Sequence, residues 1–528
     1  MLKALYALGL TSAAWATAVP DLAPRTACES FARYSTHAQG TPSQGPLGLP
    51  YMRPPAACRT FNSSAVERVV ARLTARMKDR DLARLFENTF PNTLDTTIRW
   101  FGADLAFVVT GDIPAEWLRD SSNQFKVYLP LVGQDAPLRE LTRGVINLQA
   151  RYITQYPYCN AFQPPPESGL PPQWGSGDAG AKISPPDDMK IVWTCGYELD
   201  SLLSFLQLSR GYFEFSQDRS IFSYNNGGWL KAVESVLQVI QDQAVPTYDP
   251  LGNVVSFYNI SGPNQRYMKN NGRGPPKALT GLIGTTYRPS DDVVAFPYNI
   301  PHQAMAVVEL RGLAALLKQV KLRPDLQKAA LARAADVEAA LWKWGTVLTK
   351  DWGEVFAYEV DGYGGVAIQD DANVPSLVSI PYLGFTNATN EIYANTRKML
   401  LSTEGNPYYS FGPVIRGVSS PHIDEKHVWP MGLISEVVTS TDDADILVKL
   451  EYLKNTTTGL GLMHESVNTH DVTDYTRPWF AWANSYFAEA ILQLAEKKPH
   501  LLFEDGKPFR VADVSGPELP IWTYIYSS

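Results

Sequence analysis

Apolar residues recur at helical spacing over most of the chain. Positions i, i+3, i+4 and i+7 are apolar in about twelve stretches, which is the pattern of helices that bury one face. The predicted helices are 66–77, 82–90, 122–132, 138–152, 197–208, 229–240, 304–320, 326–344, 392–401, 433–439, 444–453 and 481–494. Strand-like patterns are confined to 97–101, 107–110 and 355–360.

About twelve helices in one body, with no linker in the middle, favour an all-α toroid in which an inner and an outer ring of helices alternate. A generic helical bundle or a repeat solenoid is the alternative, and the chain shows no repeat at the roughly 34- or 40-residue periods of solenoids. The loops between the helices hold most of the Trp, Tyr, Asp and Pro. Because loops on a rigid scaffold commonly carry function, we expect the chemistry there.

The N-terminus has the pattern of a secretory signal peptide. Lys3 precedes an apolar run over 5–14, and Ala16-Thr17-Ala18 forms a cleavage signal, which predicts cleavage after Ala18 and secretion. Residues 19–63 are rich in Pro, Ala, Gly and Ser and predict an extended arm, and 64–528 form the predicted catalytic domain. No later apolar run reaches the length of a membrane span, so we predict no transmembrane helix and no membrane partner.

If the chain is secreted, its cysteines predict disulfides and its sequons predict glycosylation. Four cysteines in an oxidising compartment predict two disulfides, and of the three possible pairings we favour the two short loops, Cys28–Cys58 and Cys159–Cys195. N-x-S/T sequons stand at Asn62, Asn259, Asn387 and Asn455, and each predicts a glycosylated surface site.

Composition and missing motifs exclude several classes of protein. A net charge of −8 without a long Lys/Arg run argues against a nucleic-acid partner. With 11% aromatic and only 19% charged residues, the chain is not intrinsically disordered. The chain contains no P-loop, no dinucleotide fingerprint and no G-x-S-x-G elbow, and we predict no cofactor and no metal. The remaining chemistry is a pair of carboxylates that act on a polyhydroxylated substrate.

Two loop segments carry candidate groups ahead of predicted helices. In 111–122, Arg119 and Asp120 can grip neighbouring sugar hydroxyls while Trp117 covers the apolar face of the ring. A helix N-cap is the alternative role of Asp120. In 288–292, the adjacent Asp291 and Asp292 repel each other, so one of them can hold a proton as a general acid, whereas a turn cap is the alternative.

A third segment places Glu465 in a polar loop ahead of the last long helix. His464 and Glu465 do not form a zinc H-E-x-x-H motif, because residue 468 is Asn. A surface ion pair is the alternative role of the two residues. The segments 193–200, 370–376, 416–422 and 427–431 also stand out, and 370–373 lacks the glycine and distal glutamate of a calcium-binding EF-hand loop.

Seven of these motifs, in order, resemble those of glycoside hydrolase family 125. They are WLRDSSNQ (117–124), RPSDD (288–292), DDANVPS (370–376), RGVSSPH (416–422), VWPMGLI (428–434), MHES (463–466) and TRPWFAWANS (476–485). The match runs from about 64 to 498. The resemblance implies an (α/α)6 barrel and a metal-independent exo-α-mannosidase that removes terminal α-1,6-linked mannose with inversion.

The resemblance also implies roles for individual residues. The segment MHES matches the family's base segment and gives Glu465 as general base. The segment RPSDD matches its acid segment and gives Asp292 as general acid. Asp291 is the alternative acid, and Asp292 is preferred because Asp291 is better placed to cap a turn with Ser290. Arg119 and Asp120 are implied to grip the terminal mannose. Weaker candidates for the cleft are His302, Arg416, Trp429 and Asn484. The Cys28–Cys58 arm lies outside the shared motifs, and we expect it to affect stability and secretion more than chemistry.

Two other functions stay open at this point. Another (α/α)6 hydrolase, such as a glucan or trehalose enzyme, would share the architecture but prefer glucosides. A catalytically silent glycan-binding protein would keep Arg119 and Asp120 but would not need Glu465. The predicted partner is in each case a glycan, and for the favoured function it is a mannose-containing oligosaccharide.

Overall fold

The structure, a computed structural model, describes residues 28–173, 180–262 and 268–514. The predicted signal peptide (1–18) therefore lies outside the described residues, as does the start of the predicted arm. No helix of the described part is long and apolar enough to cross a membrane.

The helices alternate along the chain between two concentric rings. The twelve barrel helices are α1 (Arg80–Thr89), α2 (Leu118–Lys126), α3 (Ala136–Gln155), α4 (Leu199–Ser216), α5 (Gly228–Gln243), α6 (Ile300–Val320), α7 (Pro324–Trp344), α8 (Ile380–Leu383), α9 (Glu391–Leu400), α10 (Pro430–Thr439), α11 (Asp443–Asn455) and α12 (Ala481–Lys497). The even-numbered helices form a closed inner ring, because each contacts the next and α12 contacts α2. The odd-numbered helices lie outside them, which is the predicted (α/α)6 barrel.

Burial distinguishes the two rings. The inner helix α4 buries thirteen of its eighteen residues, including polar ones, because other helices surround it. The outer helix α11 buries five of its thirteen residues and exposes Leu447 and Val448 as well as polar side chains. The inner helices therefore form the barrel core.

All twelve predicted helices exist, but they are not the twelve helices of the barrel. The first of them, Ser64–Arg76, packs on α1 outside the two rings. The missing barrel member is α8, which has four residues and is too short to show a helical period. The remaining short helices are Phe31–Tyr34, Asn92–Thr96 and Lys269–Gly272.

The strands of the described part are short and pair antiparallel. They are β1 (Ile98–Gly102), β2 (Leu105–Val108), β3 (Glu116–Trp117), β4 (Ala161–Phe162), β5 (Lys182–Ser184), β6 (Val192–Thr194), β7 (Asn259–Ser261), β8 (Tyr298–Asn299), β9 (Thr346–Thr349), β10 (Gly353–Phe356), β11 (Glu359–Val360), β12 (Val366–Ala367), β13 (Tyr409–Phe411), β14 (Arg416–Ser420), β15 (Asp424–Val428), β16 (Ser466–Asn468) and β17 (Tyr475–Thr476). The sheets are β1–β2, β9–β10, β5–β7, β3–β4–β6, β8–β11–β12 and β13–β14–β15–β16–β17.

The predicted strand at 355–360 is wrong as a single element. Its two ends belong to β10 and β11, which lie in different sheets. Most other strands were not predicted, because two or three residues are too few to display a period of two.

The described part of the arm lies against the barrel through buried polar contacts. The Arg53 side chain is only 3% exposed and pairs with Asp95 at 2.7 Å, and it also donates to Glu67. Asp81 of α1 accepts hydrogen bonds from the backbone N–H groups of Leu47 and Leu49. A buried charge pair is costly to break, so these contacts hold the segment in one position.

Both favoured disulfides are present, Cys28–Cys58 and Cys159–Cys195. Of the four sequon asparagines, Asn62, Asn387 and Asn455 are exposed, whereas Asn259 lies half-buried on β7. Whether any of them carries a glycan stays a prediction.

Candidate active site

One pocket opens where the inner helices begin. It holds about 460 Å³, including its open mouth, and the N-terminal ends of α2, α10 and α12 contribute to it directly. Helix N-termini carry a partial positive charge, so this end of the barrel favours carboxylates. The lining residues are Thr110, Asp112, Ile113, Trp117, Arg119, Asp120, Pro289, Ser290, Asp291, Asn373, His422, Trp429, Glu465, Arg477, Phe480 and Trp482.

Arg119 is the centre of a crowded acidic cluster at the base of the pocket. Its guanidinium lies 3.1 Å from Asp120, 2.8 Å from Glu198, 3.2 Å from Asp291 and 3.7 Å from Asp200. All of these side chains are nearly inaccessible except that of Asp291, which is 30% exposed. One cation faces four carboxyl groups, so the cluster must retain protons to limit its buried charge.

Three of these carboxyl groups, those of Asp120, Glu198 and Asp291, differ in their affinity for a proton. Burial raises the pKa of Asp120 to about 7, although Arg119 opposes that shift. Burial also raises the pKa of Glu198 well above its ordinary value. Burial acts in the same sense on Asp291, but Arg119 and a hydrogen bond from Glu198 outweigh it and lower the pKa of Asp291. Glu198 therefore holds the proton of this pair, and Asp291 is the ionised member.

Asp291 and Asp292 face different partners. The Asp291 backbone has φ of 65°, in the left-handed region, and its carboxylate turns toward Arg119 and lines the pocket. Asp292 is not among the lining residues, but its Oδ1 lies 3.4 Å from Nδ1 of His422, whose ring does line the pocket. The Oδ2 atom of Asp292 is buried without a hydrogen-bond partner among the described residues.

His422 carries positive charge between the two acidic segments. Burial opposes its protonation, but the neighbouring Asp292, together with Asp291 and Glu465, raises the pKa of His422 to about 9. The imidazolium is thus near both the predicted acid and the predicted base. It can orient Asp292 and stabilise negative charge on the substrate side of the pocket.

Glu465 lies on the wall formed by the last two hairpin strands. Its backbone N–H donates to the carbonyl of Thr476 at 3.1 Å, and its Oε1 lies 3.1 Å from Nε of Arg477. Arg477 also pairs with Asp112 on the opposite side of the mouth. The carboxylate of Glu465 is therefore fixed in the pocket wall, with only 8% of the side chain exposed.

Aromatic side chains form much of the remaining wall. Trp117, Trp429, Phe480 and Trp482 line the pocket, and the Trp482 ring lies 5.3 Å from the guanidinium carbon of Arg119. The indole N–H groups of Trp117 and Trp429 are buried without partners among the described residues. Aromatic faces beside carboxylates and a guanidinium suit a sugar ring, which has apolar faces and polar edges.

Three of the predicted cleft residues lie outside the pocket. His302 is fully buried one turn into α6, where its Nε2 lies 3.1 Å from Asp200, because that face of α6 packs on α4. Asn484 is fully buried in α12 and accepts a hydrogen bond from the Met463 N–H. Arg416 is exposed at the start of β14, opposite Phe411 at the sheet edge. Of the four weaker candidates, this pocket contains only Trp429.

Three charged groups at or beneath the pocket had no role in the sequence analysis. Glu198 lies beneath it, within a segment that stood out, but nothing local indicates that it pairs with Arg119, which is 79 residues away. His422 ends the RGVSSPH motif and Arg477 belongs to TRPWFAWANS. The signal that could have found them is charge, because each is an ionisable residue inside a loop segment that stood out in the sequence.

Among the described residues, no group of three or more His, Cys, Asp and Glu side chains is arranged to hold a metal ion. The carboxyl groups of Asp120, Glu198 and Asp200 lie close together, but they surround the guanidinium of Arg119. The guanidinium therefore takes the position between carboxylates that a cation would otherwise occupy.

Comparison with known proteins gives a consistent result. The sequence profile described as metal-independent alpha-mannosidase (GH125) matches residues 79–492. The meiotically up-regulated gene 157 protein of Schizosaccharomyces pombe is 48% identical over 491 residues, which cover 91% of this chain and 95% of that protein.

A solved structure agrees with the sequence comparison. It is a Streptococcus pneumoniae protein from a family of metal-independent alpha mannosidases, in a non-productive substrate complex with α-1,6-mannobiose. It is 31% identical, with a TM-score of 0.75, and the match covers 82% of this chain and 98% of that one.

Proposed function

The chain belongs to glycoside hydrolase family 125, the metal-independent α-mannosidases, and on that premise we propose that it removes α-1,6-linked mannose from the non-reducing end of glycans with inversion. The linkage is supported by the α-1,6-mannobiose bound to the similar Streptococcus pneumoniae protein. Exo action is supported by the shape of the site, a pocket whose base is filled by the Arg119 cluster. Such a pocket accepts the end of a sugar chain.

In this proposal Glu465 is the general base. It removes a proton from a water molecule as the water attacks the anomeric carbon of the terminal mannose. The ion pair with Arg477 fixes the carboxylate, and the adjacent Asp112 fixes Arg477 in turn. An inverting enzyme needs room for that water, with about 6.5–9.5 Å between its two carboxyl groups.

Asp292 is the proposed general acid, which gives its proton to the glycosidic oxygen as the bond breaks. Asp291 is the weaker candidate, because Arg119 and Glu198 lower its pKa and hold it as a carboxylate. Asp292 keeps a buried oxygen, Oδ2, that has no hydrogen-bond partner among the described residues and can carry the proton that a general acid donates. Arg119, Asp120 and Trp117 hold the terminal mannose.

The observation that carries the proposal is the meeting of the acidic segment 288–292 and Glu465 in one sugar-sized pocket. The test of specificity is a panel of linkage-defined mannobioses. We expect α-1,6-mannobiose to be hydrolysed much faster than the α-1,2 and α-1,3 isomers, with no action on aryl α-glucosides. Preference for a glucoside would overturn the proposal.

The acid is identified by its dependence on the leaving group. Asp292→Asn should lower mannobiose hydrolysis by about 10²- to 10⁴-fold. It should spare aryl α-mannosides whose phenol leaves without protonation. Asp291→Asn is the matched control and should impair both substrates alike. The reverse pattern would make Asp291 the acid.

Secretion is part of the same proposal. The two disulfides are compatible with an oxidising compartment, and the sequence before residue 19 has a signal-peptide pattern. N-terminal sequencing of protein from culture medium should begin at Val19, and retention of residues 1–18 would contradict cleavage after Ala18.

A further inference from the structure

Residues 28–63, which we call the arm segment, lie directly behind the loops that carry Glu465 and Arg477. Phe31 packs edge-on against Trp479, with ring centroids 4.9 Å apart. Met52 joins Leu462, Trp479 and Ala481 in a small cluster that Phe31 and Ala32 cover. This cluster is separate from the main barrel core, so part of its packing comes from the arm segment.

The cluster touches both sides of the proposed base. Leu462 lies three residues before Glu465, and Trp479 lies two residues after Arg477, which pairs with Glu465 at 3.1 Å. Both loop segments thus contact the same arm residues. A shift of the cluster would therefore change the distance between Glu465 and Arg477.

Hydrogen bonds tie the same segments together. The side chain of Asn88 accepts from the Met52 N–H at 2.9 Å and donates to the carbonyls of Pro50 and Gly461 at 3.0 and 2.9 Å. The arm segment and the loop before Glu465 therefore share one buried amide, that of Asn88. The indole N–H of Trp479 donates to Asn92 at 2.8 Å, which fixes the ring that Phe31 covers.

Trp479 also supports the opposite wall of the pocket. A side chain at Gly111 would meet the Trp479 ring at 3.4 Å, so the backbone there lies close to the indole. Gly111 precedes Asp112, the second partner of Arg477. One tryptophan thus sets the spacing between the two groups that hold Arg477, and the arm segment fixes that tryptophan from behind.

We propose that the arm segment is a positioning element for catalysis: through Trp479 and Leu462 it fixes Glu465 and Arg477, and the Cys28–Cys58 disulfide keeps it in place. This rests on the proposed function of Glu465 and departs from our expectation that the arm affects stability more than chemistry. The disulfide joins Cys28, which precedes Phe31, to Cys58, which follows Met52. It therefore links the two ends of the stretch that contacts Trp479 and Leu462. No arm residue touches the substrate in this account.

The test compares Phe31→Ala with three controls. We expect Phe31→Ala to lower kcat about tenfold with KM changed less than about twofold, because small displacements of a reacting group are costly. Arg33→Ala changes an exposed residue of the same short helix and should leave kcat intact. Phe31→Tyr keeps the ring and should restore kcat. Val233→Ala removes buried volume from α5 and should lower Tm. At temperatures below the unfolding transition it should leave kcat unchanged.

The disulfide supplies a second variant. Cys28→Ser together with Cys58→Ser should lower kcat in the same way as Phe31→Ala, measured well below Tm. If both arm variants lose only thermal stability, as Val233→Ala does, the arm is structural and the proposal is overturned.

A double variant separates this proposal from the function of Glu465 itself. Azide can replace the water that the base would activate, so Glu465→Ala with azide no longer depends on the position of the carboxylate. Adding Phe31→Ala in that background should cause no further loss, whereas an equal tenfold loss would contradict positioning through Glu465. If Glu465→Ala alone kept full activity, the proposed function would fail, whatever Phe31→Ala does.

Discussion

The inner helices α4 and α6 pair charges with each other at the pocket end and again near the middle of α6, and the two places differ in how those charges are satisfied. Near the middle, Glu309 of α6 accepts paired hydrogen bonds from Arg210 of α4 at 2.9–3.2 Å, and a further one from Gln207. At the pocket end, Asp200 of α4 meets His302 of α6 at 3.1 Å, yet both oxygens of Asp200 lack well-oriented hydrogen bonds among the described residues.

The difference separates a structural site from a functional one. Arg210 forms directed hydrogen bonds with Glu309, and its second partner, the exposed Glu214, lies 4.0 Å away. Around Arg119 four carboxyl groups share one guanidinium, and the Asp120 oxygen 3.1 Å from it has no well-oriented hydrogen bond among the described residues. Buried polar groups left unsatisfied reduce stability, and proteins tolerate them where function requires them. The pocket end is therefore the less stable and more reactive end of the same helices.

Asp120→Asn should show the largest effect and is the sharpest test of this comparison. Activity should fall about 10²- to 10³-fold, because a carboxylate that grips the mannose is lost. Stability should rise. Asp120 has a folded pKa of about 7, above its unfolded value, so its ionisation destabilises the fold as pH rises from about 4 to 7.

Calorimetry at two pH values checks this second part. Asp120→Asn should raise Tm at pH 8, where the wild-type carboxyl is ionised, and much less at pH 4. A lower Tm at pH 8 would show that Asp120 stabilises the fold, and the contrast between the pocket end and the Arg210–Glu309 pair would be lost.

Arg210→Met should have the opposite profile. It leaves Glu309, which is 1% exposed, without its cation and should cost about 2–4 kcal/mol of unfolding free energy. The activity of the folded enzyme should not change, since neither residue lines the pocket. Denaturant unfolding and kcat at low temperature measure the two quantities. Arg311→Met, which removes an exposed ion pair with Glu338, is the matched control and should cost less than about 1 kcal/mol.

His464, the neighbour of Glu465, should act on stability in the opposite sense to Asp120 and destabilise the fold in acid. Burial lowers the pKa of His464 to about 4, and its ring stacks on Tyr475 at 4.0 Å. The unfolded chain therefore binds a proton that the folded one does not between about pH 6.5 and 4, and stability should fall by about 1–3 kcal/mol over that window. His464→Gln should flatten the decline, and His470→Gln, at an exposed position, should not. Parallel pH curves for all three proteins would contradict the assignment.

The smallest expected effect is that of a chelator. The family is metal-independent, and Arg119 balances the acidic cluster from within. Activity after exhaustive treatment with EDTA should stay within about 10% of the untreated enzyme, an estimate consistent with catalysis by protein charges alone. A loss restored by a divalent cation would mean that the cluster binds metal.

The sequence predicted the helices better than the barrel. The helical period of 3.6 residues identified every long helix. Helix α8 has only four residues and shows no period, so one of the six inner helices could not be predicted. The two rings are also not distinguishable locally, because the ring of a helix depends on what surrounds it.

For the site, residue type was predictable and side-chain direction was not. Arg119, Asp120, Asp291 and Glu465 line one pocket, since each directly precedes or begins an inner helix or lies in the loop before one, whereas Asp292, the acid that the sequence analysis favoured, does not line it. His302 has the same position relative to α6, but its ring points at Asp200 inside the barrel. Successive residues of a helix point about 100° apart, so a small difference in how the helix is oriented turns a side chain from the pocket into the core, and the sequence does not specify that direction.

The central claim is that Glu465 and an aspartate of the 288–292 loop act from opposite faces of the sugar. The direct measurement is the anomeric form of the first product, followed by proton NMR during hydrolysis of an α-mannoside. The account predicts β-mannose at early times, which then equilibrates to the α form. Release of α-mannose as the first product would contradict it.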